Sequence, residues 1–240
     1  MAAIDIINYD NRPDAGTLTR RAAFVVTDYP IESDEALLQY GAELKIGVPD
    51  VGKAFSGTPP PVDLVQKMDR PILDPFHNVM LSTTDSNFPL HTDEYFADEP
   101  ARFVLLLCVT PAESGGTTLI ANVDDIVADL APATLAALMK PIYPTQLGLR
   151  AVLTETDQRY TVRYNALEMV RTQGGGRFKI QLSPEAMSAV AELRKAAEKN
   201  LRRYDLKRGD CLVIHNGRTL HGRTAFSGNA RRLMKRVRIK

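Results

Sequence analysis

The sequence contains only two cysteines and no tryptophan among its 240 residues. Cys108 and Cys211 both lie in apolar, strand-like runs, where a free cysteine packs as a small hydrophobic residue. Two such residues do not make a disulfide framework, and their setting favours a reducing compartment. The absence of tryptophan, and of an aromatic platform on which bases could stack, argues against nucleic acid as a partner.

Long apolar runs and a strong charge imbalance are also missing. No run approaches the roughly 20 apolar residues that a membrane span needs, and the N-terminus (Met-Ala-Ala-Ile-Asp) shows no signal-peptide pattern. The formal net charge is only +1, which gives no general attraction to nucleic acid or to an anionic membrane. We therefore expect a cytoplasmic protein with neither of these as a partner.

The order of apolar runs and turn residues predicts a mainly β fold with a few flanking helices. No linker, repeat or low-complexity segment divides the chain, so we expect one domain over residues 1–240. Strands are predicted at residues 22–27, 102–110, 117–121, 150–154, 159–164, 211–214 and 232–239. Residues 47–75 are rich in proline and glycine, which indicates irregular structure with one short strand. Many strands in one domain favour a sandwich or a barrel decorated by helices.

His91 and Asp93 are the first candidates for chemistry. They stand two residues apart in a stretch that reads as a short strand, so both side chains should project from the same face. One imidazole and one carboxylate supply two thirds of a 2-His-1-carboxylate site, the pattern typical of non-haem Fe(II) oxygenases. Because such short pairs also occur by chance in many strands, the interpretation needs a second histidine from elsewhere in the chain.

His221 is the candidate for that third ligand. The chain has four histidines, and His221 is followed by Gly222, which permits close backbone approach. His215 is the competitor, but it stands at a strand end before the turn-forming pair Asn216-Gly217. Alternatively, His221 is an ordinary core or surface histidine and binds no metal.

The last predicted strand places its basic residues on one face. Alternation puts Arg232, Met234, Arg236 and Arg238 on one side and the apolar residues between them on the other. That basic face indicates either an exposed edge strand, which resists aggregation, or an inward face that binds a carboxylate through two parallel hydrogen bonds. Spacing alone does not choose between the two.

A series of short motifs occurs in order along the chain: His91-Thr92-Asp93, Gly115-Gly116-Thr117-Thr118, Gly209-Asp210, Asn216, His221-Gly222-Arg223 and Arg232-x-x-x-Arg236. This series resembles the Fe(II)/2-oxoglutarate dioxygenases of the taurine dioxygenase, γ-butyrobetaine hydroxylase and clavaminate synthase group. The resemblance covers residues 22–240 and implies a double-stranded β-helix, or jelly roll, with helices outside. It also implies that His91, Asp93 and His221 hold Fe(II).

The same resemblance implies where 2-oxoglutarate, the co-substrate used with O₂, would bind. It would chelate the iron through its 1-carboxylate and keto oxygens, and its distal carboxylate would meet Arg232 and the hydroxyl of Thr118. Adjacent threonines face opposite ways, so Thr117 is the alternative to Thr118.

Three further residues are candidates for binding the primary substrate. By resemblance, Arg236 matches an arginine that often binds an anionic group of that substrate, and Asn87 matches a pocket-lining position. His77 is a third candidate for the pocket. The alternatives are a turn role for Asn87 and a structural role for His77. One departure from the family pattern is His215, which stands where an aspartate is common.

The implied activity is oxidation of a small polar metabolite, an amino acid or other carboxylate, with release of succinate and CO₂. The carboxylate at Asp93 favours hydroxylation, since related halogenases keep that position small for chloride; desaturation, cyclisation and epimerisation use the same triad. A non-catalytic jelly-roll protein, a zinc hydrolase and an enzyme of oxidative nucleic-acid repair are the other classes. Thr118 and Arg232 argue against a non-catalytic protein. A zinc hydrolase would have no use for a buried arginine opposite the metal, and the near-neutral net charge disfavours an enzyme of nucleic-acid repair.

Overall fold

The computed structural model describes residues 4–13, 22–43, 61–74, 77–167, 182–228 and 232–240. Within these residues the fold is mainly β with flanking helices, as the sequence predicted. The strands are β1 (Asp5–Asn8), β2 (Ala23–Thr27), β3 (Asp63–Gln66), β4 (Phe88–His91), β5 (Phe103–Thr110), β6 (Ser114–Gly115), β7 (Thr118–Asn122), β8 (Tyr143–Thr145), β9 (Gly148–Arg150), β10 (Leu153–Thr156), β11 (Arg159–Val162), β12 (Arg202–Tyr204), β13 (Cys211–His215), β14 (Thr219–Arg223), β15 (Phe226–Ser227) and β16 (Leu233–Ile239). The helices are α1 (Asp34–Glu43), α2 (Val123–Ala128), α3 (Pro132–Leu138) and α4 (Pro184–Lys199).

The strands form two main sheets. The larger sheet has the order β1-β2-β13-β5-β16-β3, and the smaller has the order β12-β7-β14-β4. In the larger sheet only β1 and β2 are parallel; the other pairs are antiparallel. Adjacent strands in each sheet are mostly distant in sequence, because the chain crosses repeatedly between the two facing sheets. No helix in the described part of the chain is long and apolar enough to cross a membrane.

The core consists of three layers of buried side chains. The layer between the sheets joins the larger sheet to Ile120 of β7 and includes Val25, Val104, Leu212 and Ile214. The outer face of the larger sheet packs on Leu37 and Tyr40 of α1. The outer face of the smaller sheet packs on α2, α3 and α4. Because β5 and β13 are covered on both faces, their sequences are almost continuously apolar.

Pairing in the smaller sheet brings distant histidines together. β14 is antiparallel to β4, and His221 is the Cα partner of His91 in that ladder. The outward neighbours of these histidines, Leu220 and Leu90, pack in the helical layer, so both imidazoles project toward the larger sheet. The register shifts after His221, where a Cβ at Gly222 would lie 2.6 Å from the carbonyl oxygen of Phe88. The close strand contact therefore requires glycine.

We predict that Gly222→Ala lowers the free energy of unfolding by about 1–3 kcal/mol, because the added methyl group forces β14 away from the backbone of β4. The matched control is Gly217→Ala, whose Cβ would have no neighbour closer than 3.6 Å. Urea unfolding of both variants measures the difference. Equal stability of the two variants would contradict the close-contact argument.

Candidate metal centre

The structure brings His91, Asp93 and His221 into one buried cluster. Asp93 Oδ1 lies 3.5 Å from Nε2 of His91 and 3.5 Å from Nε2 of His221. One ligand atom from each residue lies within 4.8 Å of the others, and this is the one such cluster in the residues described. β4 ends at His91, so Asp93 stands in the turn after the strand and not within it. The expectation that Asp93 lies within the strand is therefore wrong, but its side chain still converges with that of His91.

The protonation states of the cluster suit metal binding, which needs neutral histidine and ionised carboxylate. His91 Nδ1 lies 2.9 Å from the carbonyl oxygen of Pro89, which places the proton on Nδ1 and leaves Nε2 facing Asp93. Burial, followed by the proximity of His91, lowers the pKa of His221 and keeps that ring neutral. Burial would raise the pKa of Asp93, but Arg236 and Arg238 outweigh it and hold that pKa well below its usual value.

Four charged side chains form a closed ring behind the cluster. Asp93 Oδ2 accepts hydrogen bonds from Arg236 Nη1 at 3.2 Å and from Arg238 Nε at 2.9 Å. Asp63 Oδ2 accepts from Arg236 Nη2 at 3.1 Å and from Arg238 Nη1 at 2.7 Å. The basic face of β16 is therefore the inward face, and it is neutralised by two carboxylates. Sequence reasoning singled out neither Asp63 nor a contact between Arg238 and Asp93.

Asn216 fixes the backbone that carries Asp93. Its Oδ1 accepts from the Asp93 backbone N–H at 2.8 Å, and its Nδ2 donates to the carbonyl oxygens of Asp93 at 2.9 Å and Ala101 at 2.8 Å. Asn216 is 1% exposed, so these bonds have no competition from water. Asn216 thus holds the backbone of the turn that carries Asp93 and does not bind the carboxylate oxygens of Asp93.

Two cavities meet at the cluster. The larger, of about 240 Å³, reaches His91 and Asp93 and includes Arg236 and Arg238 in its lining. Its other walls combine apolar and polar side chains: Ile72, Leu73, Asp74, Val79, Met80, Leu81, Ser82, Phe88, Thr92, Glu94, Tyr95, Phe96, Gln146, Asn165 and Leu167. The smaller cavity runs between the sheets from the three candidate ligands to Thr118, Arg223 and Arg232. Two separate molecules can therefore approach one metal position.

The smaller cavity contains both residues predicted to bind 2-oxoglutarate. Thr118 shares its inward face with Ile120, whereas Thr117 faces the other way and lines neither cavity. Arg232 is 8% exposed, and burial lowers its pKa. Unlike Arg236 and Arg238, it makes no salt bridge to any residue that the structure describes. A buried guanidinium without a carboxylate partner fits an anionic ligand.

The other predicted residues lie elsewhere. His77 is exposed in a turn with φ +63°, and Asn87 is exposed and accepts a hydrogen bond from the Ala225 N–H at 2.7 Å. Neither lines either cavity. His215 packs against the Phe103 ring at 4.8 Å, and burial, with nearby Arg218, lowers its pKa to about 4. Asn87 thus bonds to the backbone of a distant loop, and His215 packs on an aromatic ring.

Comparisons with known proteins identify a family and similar folds. Residues 15–238 match the family described as "Taurine catabolism dioxygenase TauD, TfdA family". An asparagine oxygenase in complex with Fe(II), 2S,3S-3-hydroxyasparagine and succinate superposes with a TM-score of 0.68 at 18% identity, covering 94% of this chain and 77% of that chain. The non-haem iron oxygenase OrfP in complex with Fe and alpha-ketoglutaric acid superposes with a TM-score of 0.72 at 18% identity, and the match covers 93% of this chain and 76% of that chain. OrfP with Fe, succinate and (3S)-hydroxy-L-Arg superposes with a TM-score of 0.70 at 19% identity, and the match covers 93% of this chain and 78% of that chain. No curated protein matches the sequence.

The chain belongs to the TauD/TfdA dioxygenase family. The jelly-roll prediction is confirmed by the structural matches. The protein is an Fe(II)- and 2-oxoglutarate-dependent dioxygenase that uses O₂. The predicted class and cofactors are therefore confirmed.

We predict that His221→Ala weakens Fe(II) binding by more than about 100-fold, beyond the loss typical of an outer-shell change. His215→Ala is the matched control and should keep the wild-type Kd, because that ring packs on Phe103 and not in the cluster. Anaerobic calorimetric titration with Fe(II) measures both values. A larger loss in His215→Ala than in His221→Ala would show that the ligand assignment is wrong.

Proposed function

We propose that the protein hydroxylates a free amino acid, with Fe(II) held by His91, Asp93 and His221. The observation that carries this proposal is the cavity of about 240 Å³ beside two of these ligands, which has charged groups of both signs in its lining. When bound, the iron with O₂ and 2-oxoglutarate supplies the oxidising chemistry, and the products include succinate and CO₂. The protein supplies the positions of both organic molecules.

In this proposal, 2-oxoglutarate occupies the smaller cavity. Arg232 meets its distal carboxylate through parallel N–H donors, and the Thr118 hydroxyl donates to the same group. Two observations support this binding mode. Arg232 is buried and forms no salt bridge to a carboxylate of the described residues, and Thr118 lines the same cavity. Arg223 lines that space as well, and its side chain is held by the carbonyl oxygen of Thr84 at 3.1 Å. Two guanidiniums suit a dianionic ligand.

The larger cavity suits a zwitterion. Arg236 and Arg238 line one part of it, and Asp74 and Glu94 line other parts. Once a divalent metal takes up the charge of Asp93, the two guanidiniums keep Asp63 as their salt-bridge partner. Arg238 Nη2 has no hydrogen-bond partner in the described part of the chain, so it remains a donor for a substrate carboxylate. The two acidic side chains favour a substrate that also carries an ammonium group.

The names of the similar structures support the same substrate class. One is an asparagine oxygenase seen with hydroxyasparagine, and another, OrfP, is seen with a hydroxylated arginine. Both complexes therefore contain a hydroxylated amino acid in this fold. In our proposal Arg236 and Arg238 orient the carboxylate, while less exposed apolar residues of the cavity wall, such as Leu81 and Phe88, exclude water from the reacting carbon.

The co-substrate site can be tested without knowing the primary substrate. We predict that anaerobic addition of 2-oxoglutarate to the Fe(II) protein produces a visible charge-transfer band. Thr118→Val should need about tenfold more 2-oxoglutarate, since it loses a hydrogen bond to a charged group. Arg232→Ala should need more than about 100-fold more. Thr117→Val is the matched control and should titrate as the wild type does. An effect of Thr117→Val that exceeds that of Thr118→Val would reverse the assignment.

The substrate class is tested with a panel of free amino acids. We predict that one or more of them raises succinate formation by the wild-type protein and is recovered with one additional oxygen atom. The N-acetyl and carboxamide derivatives of the same amino acid are the controls, and each should lose most of the stimulation because one charge is blocked. A product that has lost two hydrogens would indicate desaturation or cyclisation, and an unchanged mass with inverted configuration would indicate epimerisation. If no free amino acid stimulates succinate formation, the proposal is wrong.

A further inference from the structure

Asp63 contacts both arginines of the charged ring although it is distant in sequence from every candidate ligand. It begins β3, the strand that pairs with β16 at the edge of the larger sheet, where Asp63 is the Cα partner of Arg236. Its Oδ2 accepts hydrogen bonds from Arg236 Nη2 at 3.1 Å and from Arg238 Nη1 at 2.7 Å. The side chain is 21% exposed, so these bonds lie at the inner boundary of the site and not on the open surface.

The two oxygens of Asp93 have different surroundings. Oδ1 faces Nε2 of both His91 and His221, each at 3.5 Å. Oδ2 points away from the histidines and accepts from Arg236 at 3.2 Å and Arg238 at 2.9 Å. With two guanidinium donors on Oδ2, the carboxylate cannot rotate freely about its Cβ–Cγ bond. Oδ2 therefore binds the two arginines, and Oδ1 faces the two histidines.

We propose that Asp63 is a positioning residue for the metal site: it anchors Arg236 and Arg238 so that these hold Asp93 Oδ2 and leave only Oδ1 as a metal ligand. A carboxylate that binds through one oxygen occupies one coordination position, which keeps positions open for a chelating co-substrate and O₂. The inference rests on the proposed ligand set, and it assigns a role to a strand that contributes no ligand.

The electrostatics of the ring explain why an additional carboxylate is needed. Arg236 and Arg238 are 12% and 13% exposed, so their charges are largely removed from water. Without Asp63, the two guanidiniums would share a single salt-bridge carboxylate, Asp93, and one positive charge would have no bonded partner beside a cation site. Asp63 compensates that charge, and it also orders two long side chains that would otherwise have many rotamers.

The experiment compares Co(II) binding to the wild-type protein, Asp63→Asn and Asp69→Asn, with no substrate present. Asp63→Asn should raise the Kd of Co(II) about tenfold, as loss of an outer-shell partner does, and should change the visible Co(II) spectrum because Asp93 is free to present both oxygens. Asp69 is exposed, so Asp69→Asn makes the same change of charge outside the ring and should bind as the wild type does. Circular dichroism establishes that each variant is folded.

A folded Asp63→Asn variant with the wild-type Kd and spectrum would overturn the proposal. If Asp63→Asn does not fold, the double variant Asp63→Asn/Arg238→Gln removes one charge of each sign and leaves no uncompensated arginine. Its Co(II) spectrum should differ from that of the Arg238→Gln single variant, in which Asp63 still holds Arg236, and identical spectra of these two variants would overturn the proposal. Asp93→Ala serves as the reference: unaltered Co(II) binding in that variant would reject the ligand set itself. Since no amino acid is added, these outcomes are independent of the substrate proposal.

Discussion

The close pairing of β14 with β4 is the contact on which the site depends. It makes His221 the direct neighbour of His91, although the two residues are separated by most of the chain. The contact is possible because Gly222 allows the Phe88 carbonyl to approach to a distance that a side chain would forbid. Phe88 then stacks on the His91 ring, with ring centroids 4.0 Å apart. Backbone register, and not side-chain attraction, therefore determines the separation of the histidines.

The second constraint is the burial of charge. Asp93 is 5% exposed, and a carboxylate with so little access to water is stable only beside compensating groups. Arg236 and Arg238 provide that compensation, and Asp63 in turn compensates them. The inward face of β16 can carry arginines because this chain of alternating charges continues to the edge strand. The same strand can therefore be apolar on its helix-packed face and ionic on its inner face.

Much of the site followed from strand alternation, and the rest required the register between strands. Alternation predicted that His91 and Asp93 converge and that Arg236 and Arg238 share a face, but it left that face either inward or outward. It also could not say which of Thr117 and Thr118 faces the space between the sheets; Thr118 lines the smaller cavity, as does its pairing partner Arg223. Asp63 lies in a stretch read as mostly irregular, and its position opposite Arg236 comes from a pairing across the sheet edge. No local pattern in the sequence marks such a contact.

Arg236 and Arg238 differ in one respect that follows from their positions along β16. Arg236 lines both cavities, whereas Arg238 lines only the larger one. Arg236 therefore lies where molecules in either cavity would be close to Asp93, and Arg238 lies farther along the same face. Both guanidiniums retain N–H groups beyond those bound by Asp63 and Asp93. A single pair of side chains can thus hold the Asp93 carboxylate and still present donors to a second carboxylate in the larger cavity.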